Sequence, residues 1–472
     1  MKRNRIVQTL LLGSMGVGFF ASGVVAGPAM AASPADWTQI PARTVTLFYP
    51  GQSSYQWLRS RAHPGARMVW NGAACLNCHS GTERGRGRHM DGGMRRGMRQ
   101  GMRWRPPTAA KMGRDIVDGG PLEPTPIPGK NGVLNLSVQA AYDAENLYLR
   151  FQWRTNLDRP GRMHNYMRFD GEKWAFYGGP RSSESVASGE EPPLYEDRLA
   201  IMIDDGSVPG FRTQGCWLTC HRGMRDMPGE ATKAEVKAHP LIGETGLGRS
   251  DVRKYLPDSR TDAAASWDKT KSAQAIADIK GAGGFVDLMQ WRAHRSNPIE
   301  MADDGYVLEY RLSDEGKGPY GWNVDRETMT PKYMFDPDKV GMKVLTVDDI
   351  GDPAKPYALI REENAVPYDA DADWEEGDVL PGRLLSRVDA TGSASDNSRV
   401  HGEWDDGVWT VEWTRKLDTG HSGDDKILRE GRTYTFGFAV HDDNVTTRFH
   451  FVSFPIQFGI GSPGQIQATR LR

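Results

Sequence analysis

The chain has 472 residues and nearly balanced charge, 59 Lys and Arg against 61 Asp and Glu. That balance gives no reason to expect nucleic-acid binding by the whole molecule. Apolar residues make up 38%, with 54 Gly and 29 Pro, so a core is affordable but much of the chain must be turn and loop. Beyond the first 31 residues no apolar run reaches the ~18–20 residues of a membrane helix, which excludes an integral membrane bundle.

The N-terminus reads as an export signal. Lys2, Arg3 and Arg5 precede a mostly apolar stretch from Leu10 to Ala26, and Ala29-Met30-Ala31 has the small-x-small form of a cleavage site. Residues 1–31 are therefore expected to be a secretory signal peptide that delivers the mature chain to a bacterial periplasm, an uncleaved anchor being the alternative.

Residues 32–130 are predicted to be an irregular N-terminal segment. It carries Cys75-Leu76-Asn77-Cys78-His79, the C-x-x-C-H attachment site of c-type haem. Two thiols add to the porphyrin vinyl groups, and the adjacent His sits under the iron as proximal ligand. A basic tract follows, in which Met90, Met94, Met98 and Met102 recur every four residues among Gly and Arg. Gly92, Gly93, Gly97 and Gly101 predict a loop there despite the helical spacing. The tract suits a solvated loop, thioether metal binding, an axial Met, or docking to an acidic redox partner. A Pro-rich linker, Pro121 to Pro128, leads into residues 131–472.

Here the pattern turns to β. Leu134, Leu136 and Val138 alternate, Asp143–Asn146 turns, and Leu147, Leu149, Phe151 and Trp153 alternate, which predicts a hairpin with one buried face. Further strands are predicted at Leu199/Ile201/Ile203, Tyr306/Leu308/Tyr310/Leu312, Trp409/Val411/Trp413 and Tyr434/Phe436/Phe438/Val440, with Phe449/Phe451 after them. Two helices are expected, at 231–238 and 269–279. Together these predict a mainly β protein, a β-sandwich with long loops. The run Asp369, Asp371, Asp373, Glu375, Glu376 and Asp378 resembles a calcium loop, but Trp374 and Leu380 occupy the positions that need Gly and Glu, so a solvated face is expected.

A second cysteine pair, Cys216-Trp217-Leu218-Thr219-Cys220-His221, has one more spacer residue. His is 11 of 472 residues, so chance would follow both pairs with His at a probability of roughly 1 in 2,000. Two disulfides or one zinc site would leave His79 and His221 unexplained. Two covalently bound c-type haems are therefore expected, on Cys75 and Cys78 and on Cys216 and Cys220, with His79 and His221 as metal ligands.

Asp197-Arg198-Leu199-Ala200-Ile201, Gln290-Trp291-Arg292-Ala293-His294-Arg295-Ser296-Asn297-Pro298 and Phe451-Val452-Ser453-Phe454-Pro455 resemble the haem-binding domain of the ethylbenzene dehydrogenase family, over roughly residues 131–472. Phe48-Tyr49-Pro50-Gly51 and His63-Pro64-Gly65-Ala66 look like the c-type extension of some members. The resemblance implies a β-sandwich that holds a haem in its loops and passes single electrons, in some relatives beside a molybdenum subunit. It also implies a late axial ligand just before a Val-Ser pair. In the family's non-covalent subunits that ligand is Lys, whereas His450 stands in that place here.

Each iron needs a sixth ligand or an open site. His63, twelve residues before Cys75 on a Pro-Gly turn, is favoured for the first haem, with His89, Met68 and the Met tract as rivals. His450 is favoured for the second, with His441, His164, Met163 and Met167 as rivals. His239, His401 and His421 are expected to be solvated, and His294 to meet a haem propionate or merely pack. The function expected is a periplasmic dihaem cytochrome that passes electrons between a donor cytochrome and a terminal oxidoreductase, with a molybdenum enzyme among the candidates. A dihaem peroxidase-like enzyme with one open haem is the alternative.

Overall fold

The structure is a computed structural model that describes residues 36–60, 63, 65–67, 123–155, 161–352 and 354–471. The expected signal peptide, the motif Cys75–His79, the Arg/Met tract and the rivals Met68 and His89 lie outside the described residues. Among those residues the fold is mainly β, and no helix is long and apolar enough to cross a membrane.

One 13-stranded sheet dominates. Its strands in chain order are β1 (Arg43–Phe48), β2 (Val133–Tyr142), β3 (Asn146–Arg154), β4 (Arg198–Asp204), β5 (Val286–Arg292), β6 (Gly305–Val307), β7 (Arg311–Ser313), β8 (Val400–Asp405), β9 (Val408–Lys416), β10 (Arg432–His441), β11 (Phe451–Ser453), β12 (Ile456–Ile460) and β13 (Ile466–Arg470). Their spatial order is β8-β9-β3-β2-β1-β11-β10-β4-β5-β6-β7, and β12 and β13 form a second bridge from β10 back to β2. All pairings are antiparallel except β2 with β13 and β12 with β13. The β2–β3 turn forms where expected, because the Asp143 carboxylate accepts the backbone N–H groups of Glu145 at 2.8 Å and Asn146 at 2.7 Å.

The sheet folds back on itself, so that the β9-β3-β2 wing faces the β10-β4-β5 wing as a sandwich. Strand period two decides what lies between them. Leu136 and Val138, Leu149, Phe151 and Trp153, Leu199 and Ile201, Trp409, Val411 and Trp413, and Phe436 and Phe438 all enter one apolar core. The wings meet edge to face: Phe151 lies 5.7 Å from Phe438, and Trp291 lies 6.0 Å from Trp153 and 5.0 Å from Trp409. Each such pair contributes about 0.5–1.5 kcal/mol beyond burial. The indoles keep partners, Trp409 donating to Asp197 and Trp413 to Asn397.

Several expectations are refined. The stretch Tyr306–Leu312 is not one strand: it breaks at 308–310, where Leu308 and Tyr310 turn into two separate apolar clusters and leave the β6–β7 hairpin. The first helix is Lys233–Ala238, fixed by a capping box between Thr232 and Glu235. The second is Ala273–Gly281, starting later than expected because Ser272 is its N-cap. β1, from the segment expected to be irregular, is a central strand between β2 and β11. The acidic run is exposed as expected except for Asp378, which is buried at the start of the strand Asp378–Pro381.

Candidate haem site

The outer face of the β10-β4-β5 wing, opposite the core, floors a partly open cavity whose empty space, adjoining solvent included, is about 810 Å³. Period two again sets the floor: Arg198, Ala200 and Met202 from β4, Leu288 and Gln290 from β5, and Ala439 and His441 from β10. Three loop stretches wall it, bearing Cys216 to Arg225, Val252 to Lys254, and Thr446 to His450.

The cysteine loop is pinned by its own sequence. Gly215 has φ +57°, and a Cβ there would come within 3.1 Å of the Pro455 nitrogen, so only glycine can open the turn Gly215–Thr219. The Trp217 indole donates to the Ser453 carbonyl at 2.8 Å and lies 5.3 Å from the Tyr55 ring. Gly437 on β10 lets the loop close onto the sheet, since a Cβ there would stand 2.4 Å from the Cys216 sulfur. Cys216 and Cys220 are both buried and free. Burial pushes the Cys216 thiol up to about 12. Burial also raises Cys220, but the nearby Arg448 and Lys254 charges outweigh it, so that thiol lies below its ordinary value. Lys254 Nζ is 3.2 Å from the Cys220 sulfur.

His450 leaves the turn Thr447–Phe449 in extended geometry and points into the cavity, opposite to Phe449 and Phe451, which join the core. Its Nδ1 bonds the Thr447 carbonyl. A histidine oriented in that way through one ring nitrogen presents the other to a metal. His441 stacks beside it, ring centres 4.6 Å apart, and its Nδ1 is buried with no hydrogen-bond partner. Burial first, then nearby cations, hold both imidazoles well below the usual range, so both are neutral.

The structure thus brings Cys216, Cys220 and His450 to one cavity, with His441 beside them. His221 stands just outside it. Its ring stacks on Tyr255 at 4.1 Å, its Nε2 lies 3.0 Å from the Tyr255 carbonyl, and it lines a neighbouring cleft with Cys220 and Arg448. His63 is half-buried, its Nδ1 3.0 Å from the Leu58 carbonyl and its ring 4.9 Å from Trp57, and it does not line the cavity. Of the other rivals, His164 is buried against Tyr195 at 4.6 Å, and neither it, Met163 nor Met167 reaches the cavity. His294 packs, its Nδ1 2.8 Å from the Arg162 carbonyl. His401 and His421 are exposed. His239 is not solvated, as expected from its polar surroundings, but 8% exposed: its Nδ1 accepts the N–H groups of Leu241 and Ile242 and so caps a turn.

Strand pattern alone did not mark the basic wall. Arg198, Arg225, Arg253, Lys254, Arg311 and Arg448 line the cavity, and among the described residues no carboxylate does. Buried donors there lack hydrogen-bond partners, namely Nε and Nη2 of Arg198 and Nη1 of Arg448, although Arg198 Nε faces Glu196 at 3.8 Å. A floor with Ala200, Met202, Leu288 and Ala439 on it, a pair of thiols, a neutral imidazole and a wall whose charged groups are cations fit a planar tetrapyrrole that carries carboxylates.

Residues 35–453 match the ethylbenzene dehydrogenase family model. The chain belongs to this family. It is 27% identical over 445 residues to a cytochrome c-552 of Stutzerimonas stutzeri, covering 94% of this chain and 93% of that one. It is also 28% identical over 198 residues to a cytochrome c-551 of Rhodocyclus tenuis, covering 42% and 60% respectively. The match to the family extends well ahead of residue 131, as does the sheet through β1.

Proposed function

We propose that the protein is a periplasmic dihaem c-type cytochrome that passes single electrons between a donor cytochrome and a terminal oxidoreductase. The observation that carries this reading is the convergence of Cys216, Cys220 and His450 on one cation-walled cavity. The two relatives named as cytochromes c support it, as does the C-x-x-C-H motif at Cys75, Cys78 and His79. Haem, when bound, supplies one-electron redox chemistry. The chain's own part is to hold, orient and shield it. Cys216 and Cys220 would supply the thioether sulfurs, His450 and His221 would be the nitrogen ligands of that iron, and His63 and His79 those of the first. For His221 to serve, its bond to the Tyr255 carbonyl must open. The arginines receive the carboxylates, while Ala200, Met202, Leu288 and Ala439 keep water from the ring face.

The test is the mature protein purified from a periplasmic extract. Its intact mass should equal the chain without residues 1–31 plus two haems, and Cys216→Ser with Cys220→Ser should leave one. Electron paramagnetic resonance should show only low-spin iron. A mass with one haem in the wild type would remove the second site, and a stable high-spin haem that turns over peroxide would replace the carrier by an enzyme.

A further inference from the structure

One end of the sandwich interior is closed by carboxylates instead of apolar side chains. Asp287 continues the inward-facing series of Met289 and Trp291 on β5, and Arg415 continues that of Trp409, Val411 and Trp413 on β9. Asp304, next to β6, and Asp425, between β9 and β10, meet Asp287 there, with one oxygen of each within 4.8 Å of the others. Exposure is 0% for Asp287, 4% for Asp304 and 2% for Asp425. Asp314 and Asp396 act on the same group electrostatically.

The charges do not balance within the chain. Arg415 is the cation in contact, 2.8 Å from Asp287 and 3.9 Å from Asp425. The Lys426 ammonium turns away to Asp205, Ser207 and the Gly283 carbonyl. Five ionised carboxylates around one guanidinium would leave a buried charge of about −4, which a protein interior does not sustain without a counter-ion or protons. Hydrogen bonding is also incomplete. Asp287 accepts from Arg415 and the Lys426 N–H through one oxygen, and Asp304 accepts from the Gly305 N–H and Asn397. The other oxygen of Asp287 and both oxygens of Asp314, a residue only 5% exposed, are buried without any partner.

We propose that this end of the sandwich binds a divalent cation of the calcium class, with Asp287, Asp304 and Asp425 as carboxylate ligands and Asp314 and Asp396 completing the charge. An all-oxygen, multi-carboxylate set selects a hard cation, and no His or Cys belongs to the group to favour zinc or copper. The site would fasten β5 to the β9–β10 loop and to the segment that precedes β6. β5 also carries Leu288 and Gln290 into the haem cavity on its other face, but the proposal is independent of the haem reading.

Elemental analysis of the full holoprotein, purified without chelator, dialysed against calcium chloride and desalted, should find about one calcium per chain. Dialysis against EGTA should lower Tm by at least about 5 °C, and 1 mM calcium chloride should restore it where magnesium does not. Asp314→Asn and Asp425→Asn should reduce the calcium content at least tenfold. Wild-type protein with less than about 0.1 calcium and a Tm indifferent to EGTA and calcium would overturn the proposal whatever the variants do. So would variants that gain stability with no cation dependence, since that identifies a protonated cluster.

Discussion

Replacing Glu196 by Gln tests how the cavity wall is supported. Glu196 is 1% exposed and accepts the backbone N–H groups of His294 at 3.0 Å and Arg295 at 2.9 Å. Its other oxygen bonds the Arg295 guanidinium and lies 3.8 Å from Arg198 and 4.0 Å from Arg292. Burial pushes the carboxyl up, but Arg295, Arg198 and Arg292 outweigh it and hold it at about 2, against an ordinary 4.5. At about 1.36 kcal/mol per unit, that difference contributes on the order of 3 kcal/mol. The folded-state pKa is depressed, so the stability is fully present above about 4.5 and is lost as pH falls towards about 2. Urea unfolding of the holoprotein, followed by circular dichroism, should therefore show Glu196→Gln about 3 kcal/mol less stable at pH 7. The gap should narrow steadily below pH 4.5. The haem potential should rise, because a buried negative charge behind Arg198 has been removed. A variant within about 0.5 kcal/mol of wild type at pH 7, or a gap of constant size down to pH 3, would refute the account of the wall.

Three further outcomes follow from the site. His450→Ala should convert one low-spin haem to a high-spin or water-ligated form with both haems still attached, while His441→Ala leaves the spin state unchanged; the reverse result would make His441 the ligand. Gly437→Ala places a methyl 2.4 Å from the Cys216 sulfur, so the fraction of chains with two haems by intact mass should fall several-fold, with an overpacking cost of about 1–3 kcal/mol. Deleting residues 84–105 should slow reduction by an acidic redox partner at low ionic strength and have little effect at high salt, as stopped-flow traces would show.

The strands were legible where apolar residues recur at every second position along the chain. β2, β3, β4, β9 and β10 alternate because their inward residues build one core. Tyr306–Leu312 alternates as well and yet breaks, since Leu308 and Tyr310 serve different clusters, a difference no local pattern encodes. Spacing singled out the cysteine pair and the family resemblance singled out His450, and these residues line one cavity. The cavity wall was not legible. Arg198 reads as the polar position of a half-buried strand, and only the loops folded over β4 turn that outer face into an interior. His239 reads as a loop residue because its capping role depends on the turn it makes. The acidic end of the sandwich draws on Asp287, Asp304, Asp314, Asp396 and Asp425, which topology alone unites.

The basic wall also shows why cations can gather around this cavity before any anion arrives. Nearly every one is held from behind by a carboxylate that does not itself line the cavity. Glu196 stands behind Arg198, Asp303 behind Arg311, and Asp251 behind both Arg225 and Arg253. Glu123, from the Pro-rich linker, holds Arg448 at 2.6 Å. The acids offset the repulsion among the guanidiniums and fix their orientation, so little conformational entropy remains to be lost when a dianionic ring is bound. Arg448 serves twice in this scheme, as a wall residue and as one of the charges that lower the Cys220 thiol. The linker carboxylate therefore reaches the cysteine pair through a single guanidinium, and under the proposed function the stretch around Glu123 belongs to the haem site as well as connecting segments.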